Sequence, residues 1–250
     1  MFVSVLKVIA LVSLLIIASP LYAKDIFSFS LGIDQWKNDA PSTYGVASDN
    51  LLEFKDDGAS ARQLELSLSH KLPLIPNIRY AMSSTDQTAN NTLAQTYVLG
   101  GEVFSVASQL SSENKTQIHD VLLSYPMLDF RLLKMDMGLL ARYQKLEINT
   151  SKIGDTQQSM VDSDKIVPML HVNLESGVPL LGFFVFAEFN KGDNNHLYQS
   201  GIGYTFDNNL IPDVDLRVGF RNENIDFTAG DGVIFHQELD ATFAGMRVRF

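Results

Sequence analysis

Phe235-His236-Gln237-Glu238-Leu239-Asp240-Ala241-Thr242-Phe243-Ala244-Gly245-Met246-Arg247-Val248-Arg249-Phe250 is the stretch that decides the fold. Counting back from the carboxylate, Phe250, Val248, Met246 and Ala244 share one face of an extended strand, and Arg249, Arg247, Gly245 and Phe243 share the other. Successive side chains of a strand point to opposite faces, so this segment carries one apolar face backed by a mostly polar one. The last strand of an ordinary soluble sheet reads the same way, and the rest of the chain has to choose.

Outward from this segment the alternation repeats. Val214, Leu216, Val218 and Phe220 oppose Asp215, Arg217, Gly219 and Arg221; Tyr198, Ile202, Tyr204 and Phe206 oppose Gln199, Gly201, Gly203 and Thr205. Phe183, Val185, Ala187 and Phe189 form a seventh strand, and Leu170, Val172 and Leu174 a sixth against Met169, His171, Asn173 and Glu175. The fifth is the cleanest: Leu133, Met135, Met137, Leu139, Ala141 and Tyr143 against Lys134, Asp136, Gly138, Leu140, Arg142 and Gln144. A fourth runs from about Thr116 to Tyr125, closed by Pro126. Ile78, Tyr80 and Met82 mark the third, Leu64, Leu66 and Leu68 the second, and Phe27, Phe29, Leu31 and Ile33 the first. Such strict period two over so many segments predicts strands with two different surroundings.

Between them, residues 37–60, 84–115 and 149–164 read as polar connections, Asp207-Asn208-Asn209 with Pro212 as a short turn, and Gly230-Asp231-Gly232 as a loop. Within 84–115, Tyr97 to Ala107 has the character of a strand reaching beyond a membrane. Long connections follow strands one, three, five and nine; short ones follow two, four, six and eight, with the loop after strand seven a short exception. The predicted fold is all-β, a transmembrane antiparallel up-and-down barrel of about ten strands, with twelve possible.

Composition agrees. Charged residues make up 19% of the 250, cysteine is absent, and the formal charge is −10 without a basic cluster, which argues against nucleic acid as a partner. Lys7, the apolar run Val8–Ala18 and the small residue Ala23 before Lys24-Asp25 predict a secretory signal peptide over 1–23, with a barrel over 24–250. The run is short for a membrane-spanning helix of about 20 residues.

Alternation alone does not say which face meets lipid, since a soluble barrel alternates with its apolar face inward. Aromatic residues near strand ends favour lipid: Tyr80, Tyr125, Phe206 and Phe250 toward the short-turn end, Trp36, Tyr143, Phe189 and Tyr198 toward the long-loop end. The polar faces then form the lumen, where an unpaired charge is expensive. Arg217, Arg221, Arg247 and Arg249 are therefore expected to pair with Asp136, Asp215, Glu65 or Glu175, filling a narrow interior without a porin-like channel. A charge at the lipid-facing Leu139 should then do more damage than one at the lumen-facing Leu140.

A strand ending on aromatic Phe250 resembles the signal by which Gram-negative outer-membrane barrels are read by the barrel-assembly machinery. Leu72-Pro73-Leu74-Ile75-Pro76-Asn77, Tyr125 with Leu128-Asp129, Asp136-Met137-Gly138-Leu139 with Ala141-Arg142, Gly219-Phe220-Arg221, and Ala244-Gly245 leading to Phe250 resemble the small Gly-Gly outer-membrane β-barrel family. The resemblance covers nearly all the chain after residue 23 and is weakest over 84–115. It implies a single barrel in the cell outer membrane, in contact with its lipid and lipopolysaccharide, and carries no biochemical activity.

Chemistry-bearing motifs are sparse. His70, His119, His171, His196 and His236 lack metal-ligand spacing. His119-Asp120 invites comparison with omptin-type outer-membrane proteases, yet neighbours in one strand point to opposite faces. Asp155, Asp162 and Asp164, or Asp193 with Asn194 and Asn195, have the oxygen chemistry of a Ca²⁺ site but read better as solvated loops. No catalytic, cofactor or metal residue is assigned. The expectation is a non-enzymatic outer-membrane barrel, structural or binding through its outer loops. Its rivals are a rim enzyme, a narrow channel and a soluble periplasmic ligand-binding barrel.

Overall fold

Alternating apolar and polar residues give each segment one face for lipid and one for the interior, and a sheet with two such faces is stable when it closes on itself. The computed structural model describes residues 26–46, 50–55, 58–130, 132–178, 181–206, 212–229 and 232–250. The signal peptide predicted over 1–23, and turn residues such as Asp207, Asn208, Asn209, Gly230 and Asp231, lie outside them.

Ten strands form the wall: β1 (Phe27–Asn38), β4 (Ala59–His70), β5 (Asn77–Thr92), β8 (Gln109–Asp129), β9 (Lys134–Lys152), β10 (Gln158–Gly177), β11 (Phe183–Gly192), β12 (Asn195–Phe206), β13 (Asp213–Thr228) and β14 (Ile234–Arg249). Every neighbour pairs antiparallel in chain order, and β14 closes the wall against β1 from Ser30↔Arg249 to Trp36↔Phe243. This is the up-and-down transmembrane barrel predicted, with ten strands in the closed ring. Two short strands, β2 (Ser42–Gly45) and β3 (Leu52–Phe54), extend the sheet beside the upper part of β14, which makes twelve in the sheet but not in the ring.

Several connections prove shorter than their polarity suggested. Residues 84–92 and 109–115 continue β5 and β8, and most of 149–164 belongs to β9 and β10, leaving a link at 153–157. Polar residues on both faces concealed these strands, because above the membrane the outer face meets water and the alternation fades. Pro126 does not end its strand: β8 runs on to Asp129 past a register shift between Pro126 and Leu128, the kind of irregularity that tolerates a residue without an amide hydrogen. The Tyr97–Ala107 segment is a hairpin of β6 (Tyr97–Leu99) and β7 (Glu102–Phe104). It turns on Gly100 and Gly101, with φ of 53° and 81°, as a two-residue hairpin turn needs.

The outer wall carries an apolar belt. Leu139, Leu170, Ile166, Phe220, Val185, Ile202 and Leu64 all point away from the barrel. On β9 the belt runs from Met135 to Tyr143, about 20 Å along the barrel axis at the strand rise and tilt usual for such barrels. Inside the same strand lie Asp136, Gly138, Leu140, Arg142 and Gln144. Two aromatic assignments need correction. Trp36 faces inward, 5% exposed, because it shares the parity of Asp34. Tyr80 joins the upper girdle: its hydroxyl lies 2.7 Å from His119 Nδ1, and His119 packs beside Tyr143.

Candidate functional site

The interior is layered, and each layer follows from what the inward parity of the strands delivers. Nearest the short-turn end it is charged. Arg249 binds Asp215 at 2.8 Å and Arg247 binds Glu65 at 3.1 Å, both as expected from sequence. Arg217 instead holds both carboxylate oxygens of Asp34 at 2.8 Å, and Arg221 takes Glu223 at 2.8 Å. Asp136 finds Asn173, and Glu175 lies 3.7 Å from Lys134. Arg142, wholly buried, sits at the centre, with Nε and Nη2 on Asp120 at 2.9 and 2.8 Å and Nη1 on Glu223 at 2.7 Å. Arg79 forms a two-pronged pair with Glu188.

The seam between the first and last strands uses glycine in a specific way. Across the inner face one row reads Arg217, Gly245, Asp34, and the row below reads Arg247, Gly32, Glu65. A Cβ on Gly245 would collide with the Asp34 carboxylate. The missing side chain lets each arginine pass over the intervening strand to the carboxylate beyond. Both ion pairs therefore bridge the closure.

Interleaved with the charges lies an apolar group of Trp36, Ala61, Phe184, Phe186, Leu239 and Phe243, with the Arg221 guanidinium 4.2 Å from the Trp36 ring centroid. Leu140 belongs to a second apolar patch with Leu122, Val167 and Met169, so the lumen is not uniformly polar there, as the expectation for Leu140 required. Next comes an amide layer, where Ser42, Gln87, Asn114 and Gln237 hydrogen-bond one another at 2.8–3.0 Å.

The outer end is a dry core. Tyr44, Phe54, Tyr97, Leu99, Phe104, Leu110, Ile148, Val161, Phe227 and Phe235 are all buried in it. The β6–β7 hairpin folds over the mouth and is tied down there: Tyr97 donates to the Tyr44 carbonyl at 2.9 Å, and Ser159 to the Leu99 carbonyl at 2.7 Å. Burial pushes the phenols of Tyr44 and Tyr97 well above the usual tyrosine range. Beneath this core a void of about 10 Å³ beside Trp36, Thr116 and Glu223 is at the limit for one water. At the opposite end a cavity of about 150 Å³ between Arg79, Asp136, His171 and Glu188 meets an open mouth of about 530 Å³ lined by Ser69, His70, Lys134 and Arg249.

The five histidines are scattered. His171 is buried against Asn190 at 2.7 Å; His70 reaches the Pro76 carbonyl; His196 meets Asn222. His119 and Asp120 face opposite ways, His119 to the aromatic girdle and Asp120 to Arg142. No group of three metal-ligating side chains occurs among the described residues. The acids considered for Ca²⁺ turn to cations: Asp155 to Lys152 at 2.8 Å, Asp162 to Lys145 at 3.6 Å and Asp193 to Lys165 at 3.7 Å. One rim pair was missed. His236 Nδ1 and Asp226 Oδ1 are 2.6 Å apart on adjacent strands, with Thr43 next in register. Because the partners lie on β13 and β14, only the register could have joined them.

No family model and no curated protein matches the chain, so nothing beyond the residues themselves carries the resemblance to the Gly-Gly family. Among solved structures the chain is similar to Ail, the attachment invasion locus protein of Yersinia pestis, crystallised with the heparin analogue sucrose octasulfate, at 9% identity over 90% of this chain and 99% of that one, with a TM-score of 0.44. It is similar to the outer membrane protease OmpT from Escherichia coli at 9% identity, 91% and 97% coverage and a TM-score of 0.46. It is also similar to Neisserial surface protein A at 15% identity, 89% and 97% coverage and a TM-score of 0.31.

Proposed function

We propose that this chain is an integral outer-membrane β-barrel that is neither a channel nor an enzyme and works by binding at its raised outer rim. The observation that carries the reading is the filling of the interior. A dry core sealed by the β6–β7 hairpin occupies the outer end, and paired arginines occupy the inner half. A solute has no water-filled route across, so the surfaces left to act are the belt, which meets lipid, and the strands standing above it. Refolding into vesicles tests this: the reading requires a heat-modifiable, membrane-inserted band and no unit conductance in a planar bilayer. Steady conductance, or recovery of the protein in the soluble periplasmic fraction, would refute it.

The His236–Asp226 pair favours a second reading, a rim hydrolase, since a carboxylate on Nδ1 orients an imidazole for proton transfer. His236 is 45% exposed and no hydrogen bond joins it to Thr43. Peptide or ester cleavage by the refolded protein, lost in His236→Ala, would establish it.

A further inference from the structure

We propose that the outer wall binds a phosphorylated glycolipid of the outer leaflet, with Lys37 and Arg62 gripping its phosphates and a groove below them taking an acyl chain. The inference rests on the membrane reading above. Following each strand upward past the apolar belt and its aromatic and histidine girdle, the first charged outward side chain is a cation on β1, β4, β8, β9 and β11 (Lys37, Arg62, Lys115, Lys145 and Lys191) and an acid on β5, β10, β13 and β14 (Asp86, Asp164, Asp226 and Asp240). On four of the cation-bearing strands an acid stands two residues further on, namely Asp39, Glu113, Glu147 and Asp193. At the lower end the exposed Lys71 follows β4 on the inward parity and lines the mouth of the lumen, away from the outer wall. Lys37 and Arg62, on the adjacent strands β1 and β4, form a positive patch at the upper edge of the belt, matching a bilayer whose outer leaflet carries phosphate just above its acyl chains.

Lys37 and Arg62 are the best placed of these cations. Gln35 pairs with Arg62 and Lys37 with Ser60, so the two cations lie diagonally on adjacent strands, both exposed. Lys145 is already engaged by Glu147 at 2.6 Å, whereas Lys37 and Arg62 have no ion-pair partner among the described residues. Below Lys37 a groove of about 820 Å³ runs down the outer wall, floored by Thr242 and Ala244 and walled by Ile202, Val218 and Phe220. Small side chains on β14, beside bulky ones on β13 and β12, leave a depression that a flexible hydrocarbon chain fills better than flat packing does. Cation and groove are contiguous, so a single amphiphile can occupy both.

The test uses the full barrel, its Lys37→Gln/Arg62→Gln variant and a Lys71→Gln control, each refolded into phosphatidylcholine vesicles with or without bisphosphorylated lipid A. Two quantities are read: the melting midpoint of the folded band on a gel, and the lipid A kept after detergent extraction. Wild type and the Lys71 control should gain stability and retain lipid A. The double variant should bind about twenty-five-fold more weakly, near five-fold for each cation lost. Dephosphorylated lipid A should give little gain, and inorganic phosphate none. Equal retention by the double variant, or equal loss in the Lys71 control, overturns the site. Equal protection of wild type by phosphatidylglycerol also overturns it, in favour of generic attraction to anionic lipid. Failure of all three proteins to insert removes the membrane reading and the site together; insertion without lipid A dependence removes the site alone.

Discussion

Arg142→Met is the sharpest probe of the interior. The arginine is wholly buried and serves two carboxylates, three hydrogen bonds in all. Methionine fills much of its volume, so the cost is electrostatic. Glu223 keeps Arg221 as a partner at 2.8 Å, and only Asp120 is left as a buried uncompensated charge. Breaking a buried pair from one side costs about 3–5 kcal/mol, and that range applies here once, not twice. The assay is urea unfolding of the barrel refolded into vesicles, read by the heat-modifiable band. The companion variant Arg142→Met/Asp120→Leu removes the stranded charge and should recover most of the loss, since an apolar pair of similar size is often neutral. A loss under about 1 kcal/mol for the single variant, or no recovery in the double, would refute the claim that Arg142 and Asp120 are shielded from water.

Other outcomes follow from the same geometry. Leu139→Arg should cost about 2–4 kcal/mol in vesicles, as a charge on the lipid face near the belt centre; Leu140→Arg should cost at least as much, because Leu140 is 2% exposed within an apolar patch. Leu99→Ala should cost the outer cap about 2–5 kcal/mol, seen as faster hydrogen exchange and proteolysis of the β6–β7 hairpin with the belt strands unchanged. Tyr44 and Tyr97 have folded-state pKa values raised by burial, so their contribution is intact below the ordinary phenol pKa near 10. Above it the unfolded chain loses protons that the folded one keeps, and stability should fall by about 1.4 kcal/mol per pH unit for each tyrosine. Tyr97→Phe should reduce that slope by one share in melts from pH 9 to 12. Leu74 sits in the lower turn with φ of 67°, and Leu74→Gly should raise stability by about 1 kcal/mol.

The wall was legible wherever lipid enforces the alternation. Leu133 to Tyr143 and Ala244 to Phe250 marked strand and register by alternation, and the aromatic residues near strand ends supplied the orientation that alternation leaves open. Above the belt the constraint lapses. Asn90 and Asn91 on β5, or Asp162 and Asp164 on β10, face water or a shared rim, and nothing in their chemistry marks them as strand. The interior was half legible. Arg247 and Arg249 meet Glu65 and Asp215, two of the acids expected as partners, while parity left open which cation meets which. Asp34 and Glu188 escaped as partners because pairing inside a cylinder joins strands far apart in the chain, and the distance between Asp34 and Arg217 in sequence hides how close they lie; Glu223 stands two residues from Arg221 on the same face of β13 and was open to parity. Trp36 misled for a related reason: an indole is as welcome over a guanidinium as at a lipid interface.

The two glycine-spanning ion pairs at the seam bear on how this barrel is made. The partners of Asp34 and Glu65 reside near the carboxyl end, so neither bond forms until the whole ribbon has been laid down and bent round. Before that moment each acid and each guanidinium needs water, which holds the unfinished sheet open at the point where premature zipping would trap a smaller ring. Afterwards the reverse holds: parting the strands breaks two charge pairs at once, one of them, Arg217 with Asp34, almost wholly buried. The same four side chains thus delay the final step and then make it hard to undo, a ratchet written by two residues that have no side chain at all.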